Sequence, residues 1–117
     1  MEKKVCMNEK EHEKVVACIK KNILEEETVV DMANIFKVLS EPSRLKIVLA
    51  LMHGECCVYH LIEAIGLTQS GVSHQLRVLK DNKIVKSRRA GQSVFYSISD
   101  AHIMKMVEVA IEHTACQ

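Results

Sequence analysis

Apolar residues recur along most of the chain with the period of an α-helix. Met32, Phe36 and Leu39 follow the i, i+4, i+7 spacing of one buried helix face. The pattern predicts six helices, the first only weakly amphipathic, over residues 11–25, 29–39, 42–53, 58–65, 68–82 and 100–116. Because the chain contains only one proline and four glycines, few positions interrupt helices, and we expect a mainly α-helical protein.

The period changes to that of a β-strand near residue 84. The segment "KIVKSRRAGQSVFYSI" alternates apolar and polar side chains, with Val94, Tyr96 and Ile98 on one face. Gly91 lies in the middle, where a tight turn favours a residue that adopts positive φ. Residues 84–98 are therefore predicted to form a β-hairpin.

Two short helices joined by "GLTQ" predict a helix-turn-helix over residues 58–82. The second helix is predicted to expose polar side chains that can donate and accept hydrogen bonds at base edges: Gln69, Ser70, Ser73, His74, Gln75 and Arg77. The hairpin carries basic and polar side chains that suit phosphate or minor-groove contact: Lys86, Arg88, Arg89 and Gln92. Helix, turn, helix and basic hairpin in this order describe a winged helix-turn-helix.

Positive charge is concentrated in the same part of the chain. The whole sequence has a formal net charge of only +1. Residues 69–98 hold six Lys or Arg against one Asp, a net +5, while the segments on either side are slightly acidic. These charges are also compatible with the solvated face of a small helical domain. Their overlap with the helix-turn-helix and the hairpin favours binding of double-stranded DNA.

The length of 117 residues predicts a single domain over residues 1–117. No apolar run approaches the ~20 residues of a membrane span, and the charged first segment has no signal-peptide core. We therefore expect a cytoplasmic protein with no membrane partner. The five cysteines, an odd number, argue against a disulfide framework and favour thiolate ligands or redox-active thiols.

The motifs closely resemble those of the ArsR/SmtB family of bacterial metal-sensing repressors. The resemblance covers about residues 29–116 and is carried by "LSEPSRLKIVLAL", "GECCVYHL" and "GLTQSGVSHQLRVLKDNKIVKSRRAGQSVFYSISDAHI". It implies a homodimer that binds operator DNA in the apo form and leaves it when metal binds. A dimer also follows from the apolar faces of two helices, which so small a chain cannot cover alone. We therefore predict an N-terminal arm and dimerisation helix at residues 1–27 and a second dimerisation helix at residues 100–116.

The predicted last helix carries metal-ligand types at both ends, Asp100 and His102 at the start and His113 and Cys116 at the end. His102 and His113 lie on one helix face but about 16 Å apart, at ~1.5 Å of rise per residue. Ligands of one tetrahedral ion lie only ~2.0–2.3 Å from it, so one helix cannot close the site. Two antiparallel copies around a two-fold axis can, and they form two identical inter-subunit sites.

In the family that the chain resembles, this last-helix site has the pattern Asp-x-His, then His, then Glu or His. The chain matches at Asp100, His102 and His113 and departs at Cys116, where a thiolate replaces oxygen or nitrogen. The thiolate favours Zn(II) or Cd(II) as the regulatory ligand over Co(II) or Ni(II). Each residue alone would also fit a solvated helix end, and only their complementary spacing favours a metal site.

A second metal or thiol site is suggested by the family's other site, which joins an N-terminal cysteine to a cysteine motif before the helix-turn-helix. The candidates here are Cys6, His12, Cys56, Cys57 and His60. Tyr59 stands where the usual Cys-x-Cys spacing would place a second thiol, which weakens assignments to As(III), Pb(II) and Bi(III). The alternative is that Cys56 and Cys57 are packed small residues. Cys18, among apolar neighbours, is predicted to lie in the core.

Three function classes remain to be compared. The favoured hypothesis is a metal-responsive repressor of metal efflux or detoxification genes. The alternative within the same fold is a thiol- or persulfide-sensing repressor that uses Cys56 or Cys57 with Cys116 and needs no metal. An enzyme is not expected, because the sequence shows no nucleophile–base set, no phosphate-binding glycine loop and no cofactor motif.

Overall fold

The computed structural model describes residues 8–116, which fall into two compact units that divide between residues 33 and 34. The first unit contains α1 (Glu9–Asn22) and the start of α2 (Glu26–Leu39), which continues into the second unit. The organisation of the chain as one domain stays a prediction.

In the first unit, the side chain of Asn8 accepts a hydrogen bond from the backbone N–H of Glu11 and so caps the start of α1. No residue of α1 is buried. Cys18 is exposed, so the prediction that it lies in the core is wrong for the single chain. The physical reason is that the weak apolar stripe of α1 leaves every side chain of this helix accessible.

The second unit contains the end of α2 and seven further elements: α3 (Pro42–Leu51), β1 (Cys56–Cys57), α4 (Val58–Ile65), α5 (Gln69–Asp81), β2 (Val85–Ala90), β3 (Ser93–Ile98) and α6 (Ala101–Ala115). The six predicted helices and the hairpin are confirmed, with bounds that differ by a few residues. Helices α4 and α5 are the helix-turn-helix, and β2 and β3 are the wing. Within residues 8–116, no helix is both long and apolar enough to cross a membrane.

The strand β1 completes a three-stranded antiparallel sheet in the order β1–β3–β2. Cys56 pairs with Tyr96 and Cys57 with Phe95. The sequence pattern does not predict β1, because a strand of two residues has no measurable periodicity. Its pairing joins the two cysteines directly to the wing.

One hydrophobic core holds the helix-turn-helix, the wing and the last helix together. Its buried residues come from every element of the second unit except β1 and β3: Val38, Ile47, Val48, Leu51, Leu61, Val72, Leu76, Leu79, Ile84, Val85, Ile103 and Val107. Helix α5 buries one stripe at the spacing i, i+4, i+7, and Gln75 and Val78 beside this stripe are partly buried. Residues Ile103 and Val107 fix the first half of α6 to the same core.

Both ends of α5 are tightly defined. Thr68 caps the start, where its hydroxyl accepts a hydrogen bond of 3.0 Å from the N–H of Gly71. At the end, the N–H of Lys83 donates to the carbonyl of Lys80 (3.0 Å), and that of Ile84 donates to Leu79 (2.9 Å). This pair of bonds is a Schellman motif, in which Lys83 has a left-handed φ of 61°. Leu79 and Ile84 make its hydrophobic contact, and both are fully buried.

We predict that Leu79→Ala lowers the free energy of unfolding by about 2–5 kcal/mol, because it leaves a cavity between α5 and the rest of the core. Tyr59→Ala is the control, since Tyr59 is 67% exposed, and its effect should stay within about 0.5 kcal/mol. Urea unfolding of both variants at one protein concentration measures the difference. A Leu79→Ala cost no larger than that of Tyr59→Ala would contradict this description of the core.

Candidate functional site

The polar face of α5 is available to a ligand along most of its length. The predicted base-edge residues that are exposed are Gln69, Ser70, Ser73, His74 and Arg77. They lie outside the stripe that α5 buries, so packing of that stripe against the core leaves them exposed. Short polar side chains and one arginine on a protruding helix suit hydrogen bonding in the major groove of DNA.

Gln75 departs from this pattern and is only half-exposed, so the prediction that it is exposed like its neighbours is wrong. Its Oε1 accepts a hydrogen bond of 3.1 Å from Nη1 of Arg44 on α3. Arg44 is held in turn, because its Nε donates to the carbonyl of Val38 at 2.7 Å. Gln75 therefore ties α5 to α3. Periodicity could not show this bond, since its partners are 31 residues apart.

A cleft of about 220 Å³ lies between the starts of α4 and α5 and the tip of the wing. Gln69, Ser73 and Gln92, all predicted to contact DNA, line it together with Cys57 and Tyr59. The exposed Tyr59 stands where the Cys-x-Cys spacing would place a second thiol, and the sequence pattern does not mark it for DNA contact. Its position beside Gln69 makes it a further candidate for DNA contact, because its hydroxyl can donate to a phosphate.

The two arginines of the wing have different surroundings. Side chains alternate along β2, so Arg89 shares a face with the buried Val85, and Arg88 lies on the opposite face. The guanidinium of Arg88 donates to both carboxylate oxygens of Glu55, through Nε and Nη2 at 2.7 Å each. It also lies 5.1 Å from the centroid of the Phe95 ring. Arg88 thus bridges β2 to the residue before β1, across the central strand.

This ion pair changes the charge available on the wing. Hydrogen bonding to Arg88 lowers the pKa of Glu55 from its ordinary value, and the same bond raises the pKa of Arg88. Both groups therefore stay charged at neutral pH and partly cancel each other. Lys86, Arg89 and Gln92 are exposed. Arg88 is exposed as well, but of these four side chains it is the one that is paired with a carboxylate.

The start of α6 brings together two of the predicted metal ligands. Asp100 caps the helix through one oxygen, because Oδ1 accepts hydrogen bonds from the N–H groups of His102 (2.9 Å) and Ile103 (3.0 Å). Nδ1 of His102 lies 3.7 Å from that oxygen, and its side chain is 95% exposed. A carboxylate has a second oxygen, so Asp100 can cap the helix and still offer Oδ2 to a cation.

The other two predicted ligands lie at the far end of the same helix. His113 is in the last turn of α6, and Cys116 follows as its C-cap, with its N–H donating to the carbonyl of Glu112. Both are exposed. Because α6 is one continuous helix, it keeps the two pairs of ligands at opposite ends. Within residues 8–116 of a single chain, no three His, Cys, Asp or Glu side chains converge as a metal site.

The cysteines before α4 do not converge on a common point. Successive residues of a strand face opposite sides, and Cys56 packs against the core. Burial raises the pKa of the Cys56 thiol, which disfavours the thiolate form needed for metal binding or nucleophilic attack. His60 accepts a hydrogen bond at Nδ1 from the backbone N–H of Cys57 (3.2 Å). A cation can bind His60 through Nδ1 only if this bond breaks.

The rest of the predicted second site is not assembled among the residues that the structure describes. Cys6 lies outside the described residues. His12 belongs to the first unit, whereas Cys56, Cys57 and His60 belong to the second. The second site therefore stays a prediction.

Comparison with known proteins gives consistent matches. Residues 41–87 match the family model described as "Bacterial regulatory protein, arsR family". The chain is 43% identical to the "Transcriptional repressor SmtB homolog" of Synechocystis sp., over 70% of this chain and 62% of that protein. It is 38% identical to the "Cadmium resistance transcriptional regulatory protein CadC homolog" of Staphylococcus aureus, over 97% of this chain and 93% of that protein. The solution structure of apo-NmtR is similar, with 40% sequence identity and a TM-score of 0.71. The match covers 81% of this chain and 80% of that chain.

The two environments of the wing arginines predict different effects on DNA binding. Arg89→Ala should weaken binding to every duplex and reduce the slope of log K against log salt by about one, as expected for one lost phosphate contact. Arg88→Ala should leave that slope nearly unchanged, because its guanidinium already pairs with Glu55. Fluorescence anisotropy across a salt series measures both slopes. Equal reductions for the two variants would show that Arg88 leaves Glu55 for phosphate.

Proposed function

The chain belongs to the ArsR/SmtB family of bacterial regulatory proteins, and we propose that it is a metal-responsive transcriptional repressor. As an apo dimer it binds operator DNA, and on binding Zn(II) or Cd(II) it releases the operator and derepresses metal efflux or detoxification genes. The observation that carries this proposal is the division of four ligand side chains between the two ends of α6.

The DNA-binding part of the proposal rests on the exposed face of α5 and on the charge around it. Ser73 and His74 occupy the middle of the exposed face, where a helix in the major groove meets base edges. The net charge of +5 over residues 69–98 supplies attraction to phosphates. Positioning contacts such as Arg44 with Gln75 hold α5 rigidly behind this face.

The dimer is supported by apolar side chains that each unit leaves exposed. In the first unit, Ile19 and Ile23 of the α1 segment are 53% and 62% exposed. In the second unit, Val109 and Ile111 on α6 are 54% and 45% exposed. Helices with apolar side chains accessible to water are stabilised by packing against a second copy. A two-fold dimer through α6 is the arrangement that also completes the ligand set.

The ligand set fits a regulatory cation in such a dimer. Asp100 and His102 of one chain would hold the cation together with the partner's His113 and the partner's Cys116. The four side chains supply one oxygen, two nitrogens and one sulfur. This mixture suits tetrahedral Zn(II), and the thiolate increases affinity for Cd(II). One oxygen of Asp100 keeps its cap bonds at the same time. The relative from Staphylococcus aureus is named as a cadmium resistance regulatory protein, which agrees with this choice of metals.

We predict that the apo protein sediments as a dimer at micromolar concentration. The exposed apolar side chains of α1 and α6 are the physical reason, since burying them releases about 25 cal/mol per Å². Sedimentation equilibrium on the reduced protein, in the presence of a chelator, measures the mass. A folded monomer under these conditions would contradict both the dimer and the inter-subunit metal site.

Point mutations at the α6 ligands should abolish the response to metal without affecting DNA binding by the apo protein. Asp100→Asn keeps a good N-cap and removes the anionic ligand, whereas His113→Ala removes a ligand at the other end of α6. Both variants should bind a duplex selected by the apo protein within about three-fold of the wild type and should lose release by Zn(II), for which the expected wild-type loss of affinity is ~5–150-fold.

The matched control for this experiment is Cys57→Ser, which removes the thiol that lines the cleft at the start of α4. It should retain release by Zn(II) if the site on α6 is regulatory. Anisotropy titrations with and without one Zn(II) per subunit compare all the variants. If His113→Ala releases DNA normally with Zn(II) and Cys57→Ser does not, the cysteine site and not the site on α6 controls release.

A further inference from the structure

Ser99 stands at the junction between the wing and the last helix. It is the single residue between Ile98, which ends β3, and Asp100, which caps α6. Its backbone N–H donates to the carbonyl of Ile84 at 3.0 Å, and its hydroxyl donates to the carbonyl of Lys83 at 2.7 Å. Two successive carbonyls are therefore held by one residue.

Those two carbonyls belong to the residues that end α5, the second helix of the helix-turn-helix. Lys83 and Ile84 are the residues whose N–H groups close the Schellman motif of α5. Among the non-glycine residues described, Lys83 alone has positive φ, at 61°. A non-glycine residue in this region costs on the order of 1 kcal/mol and persists where its surroundings hold it there. The hydroxyl of Ser99 supplies such a restraint.

The same helix end is held from its other side by α2. Asn82, the C-cap of α5, donates through Nδ2 to the carbonyl of Val78 at 2.8 Å. Its Oδ1 accepts a hydrogen bond of 2.8 Å from Nδ2 of Asn34. The end of α5 is thus bonded both to α2 and to Ser99, so a displacement of Ser99 has to move this helix end or break the bond to Lys83.

We propose that Ser99 is the positioning residue that couples the start of α6 to the recognition helix. This inference rests on the proposed function, because Asp100 and His102 are ligands only in that proposal. Asp100 is covalently attached to Ser99, and the cap bonds to His102 and Ile103 make Asp100 part of the first turn of α6. A change in the tilt of α6 at its ligand end therefore reaches the carbonyl of Lys83 without an intervening loop.

The test compares Ser99→Ala, Ser99→Thr and Ser97→Ala with the wild-type dimer. Ser99→Ala removes the hydroxyl, and Ser99→Thr restores a hydroxyl at the same position. Ser97→Ala is the matched control, because Ser97 lies on the same strand but pairs with Lys86 instead of the end of α5. For each protein, anisotropy gives the affinity for the selected duplex with and without Zn(II), and competition with a zinc indicator gives the affinity for Zn(II).

We expect Ser99→Ala to keep apo DNA affinity and Zn(II) affinity within about three-fold of the wild type. Its Zn(II)-induced loss of DNA affinity should fall at least five-fold below the wild-type value, which is ~5–150-fold for a coupled pair of sites. Ser99→Thr should restore most of the Zn(II)-induced decrease in DNA affinity. Ser97→Ala should show the same decrease as the wild type. A purely structural role would instead lower apo DNA affinity or unfold the protein.

Two results overturn the inference in different ways. If the wild type releases DNA with Zn(II) and Ser99→Ala releases it equally, the coupling does not pass through Ser99 and the proposed function stands. If the wild type itself shows no release, the proposed function fails and the inference fails with it. Should Ser99→Ala unfold, amide signals in wild-type NMR spectra decide: Zn(II) must shift Lys83 and Ile84, and unchanged signals overturn the coupling.

Discussion

One continuous helix holds His102 and His113 about three turns apart, and this separation constrains the metal site that we propose on α6. A single chain can offer only two ligands at either end of α6. In the proposed site, four protein ligands therefore require a second chain, which would couple metal binding to dimer geometry. The apolar side chains exposed on the same helix, Val109 and Ile111, give the second chain a surface to pack against.

The DNA-facing side is built from contacts that restrict movement. Arg44 fixes α5 through Gln75, Glu55 fixes the wing through Arg88, and Ser99 fixes the end of α5 to the start of α6. Exposed ion pairs such as that of Glu55 contribute little to stability, but they restrict the position of a side chain. A rigid DNA-binding unit suits a repressor that is controlled by the relative placement of two such units, because any strain at the dimer interface reaches both half-sites.

Periodicity predicted most of the fold because helices and hairpins bury residues at regular local spacing. It located α5 from Val72, Leu76 and Leu79, and the wing from the alternation that ends at Ile98. The same spacing argument placed the four α6 ligands in two pairs, and this division follows from helix geometry alone. Their convergence in a dimer remains a proposal.

Contacts between distant parts of the sequence were not predictable in this way. The pair of Arg88 with Glu55 spans 33 residues, and the bond from Ser99 to Lys83 spans 16. Neither leaves a local pattern, because the fold alone brings the partners together. The β1 strand was not predictable because two residues show no periodicity. Cys18 is exposed, contrary to the prediction, because the apolar stripe of α1 is too weak to define a buried face. The Schellman end at Lys83 was missed because glycine usually marks that position.

The inter-subunit site is tested most directly by mixing two variants, His102→Ala and His113→Ala, that each lack one end of the ligand set. Either homodimer alone should lose tight Zn(II) binding at both sites. After subunit exchange, each mixed dimer contains one complete site, so the mixture should regain about a quarter of the wild-type Zn(II) capacity. The tetrahedral absorption of bound Co(II) gives an independent signal from the same samples. No recovery, although a tagged chain shows that the subunits have exchanged, would contradict a site shared between two chains.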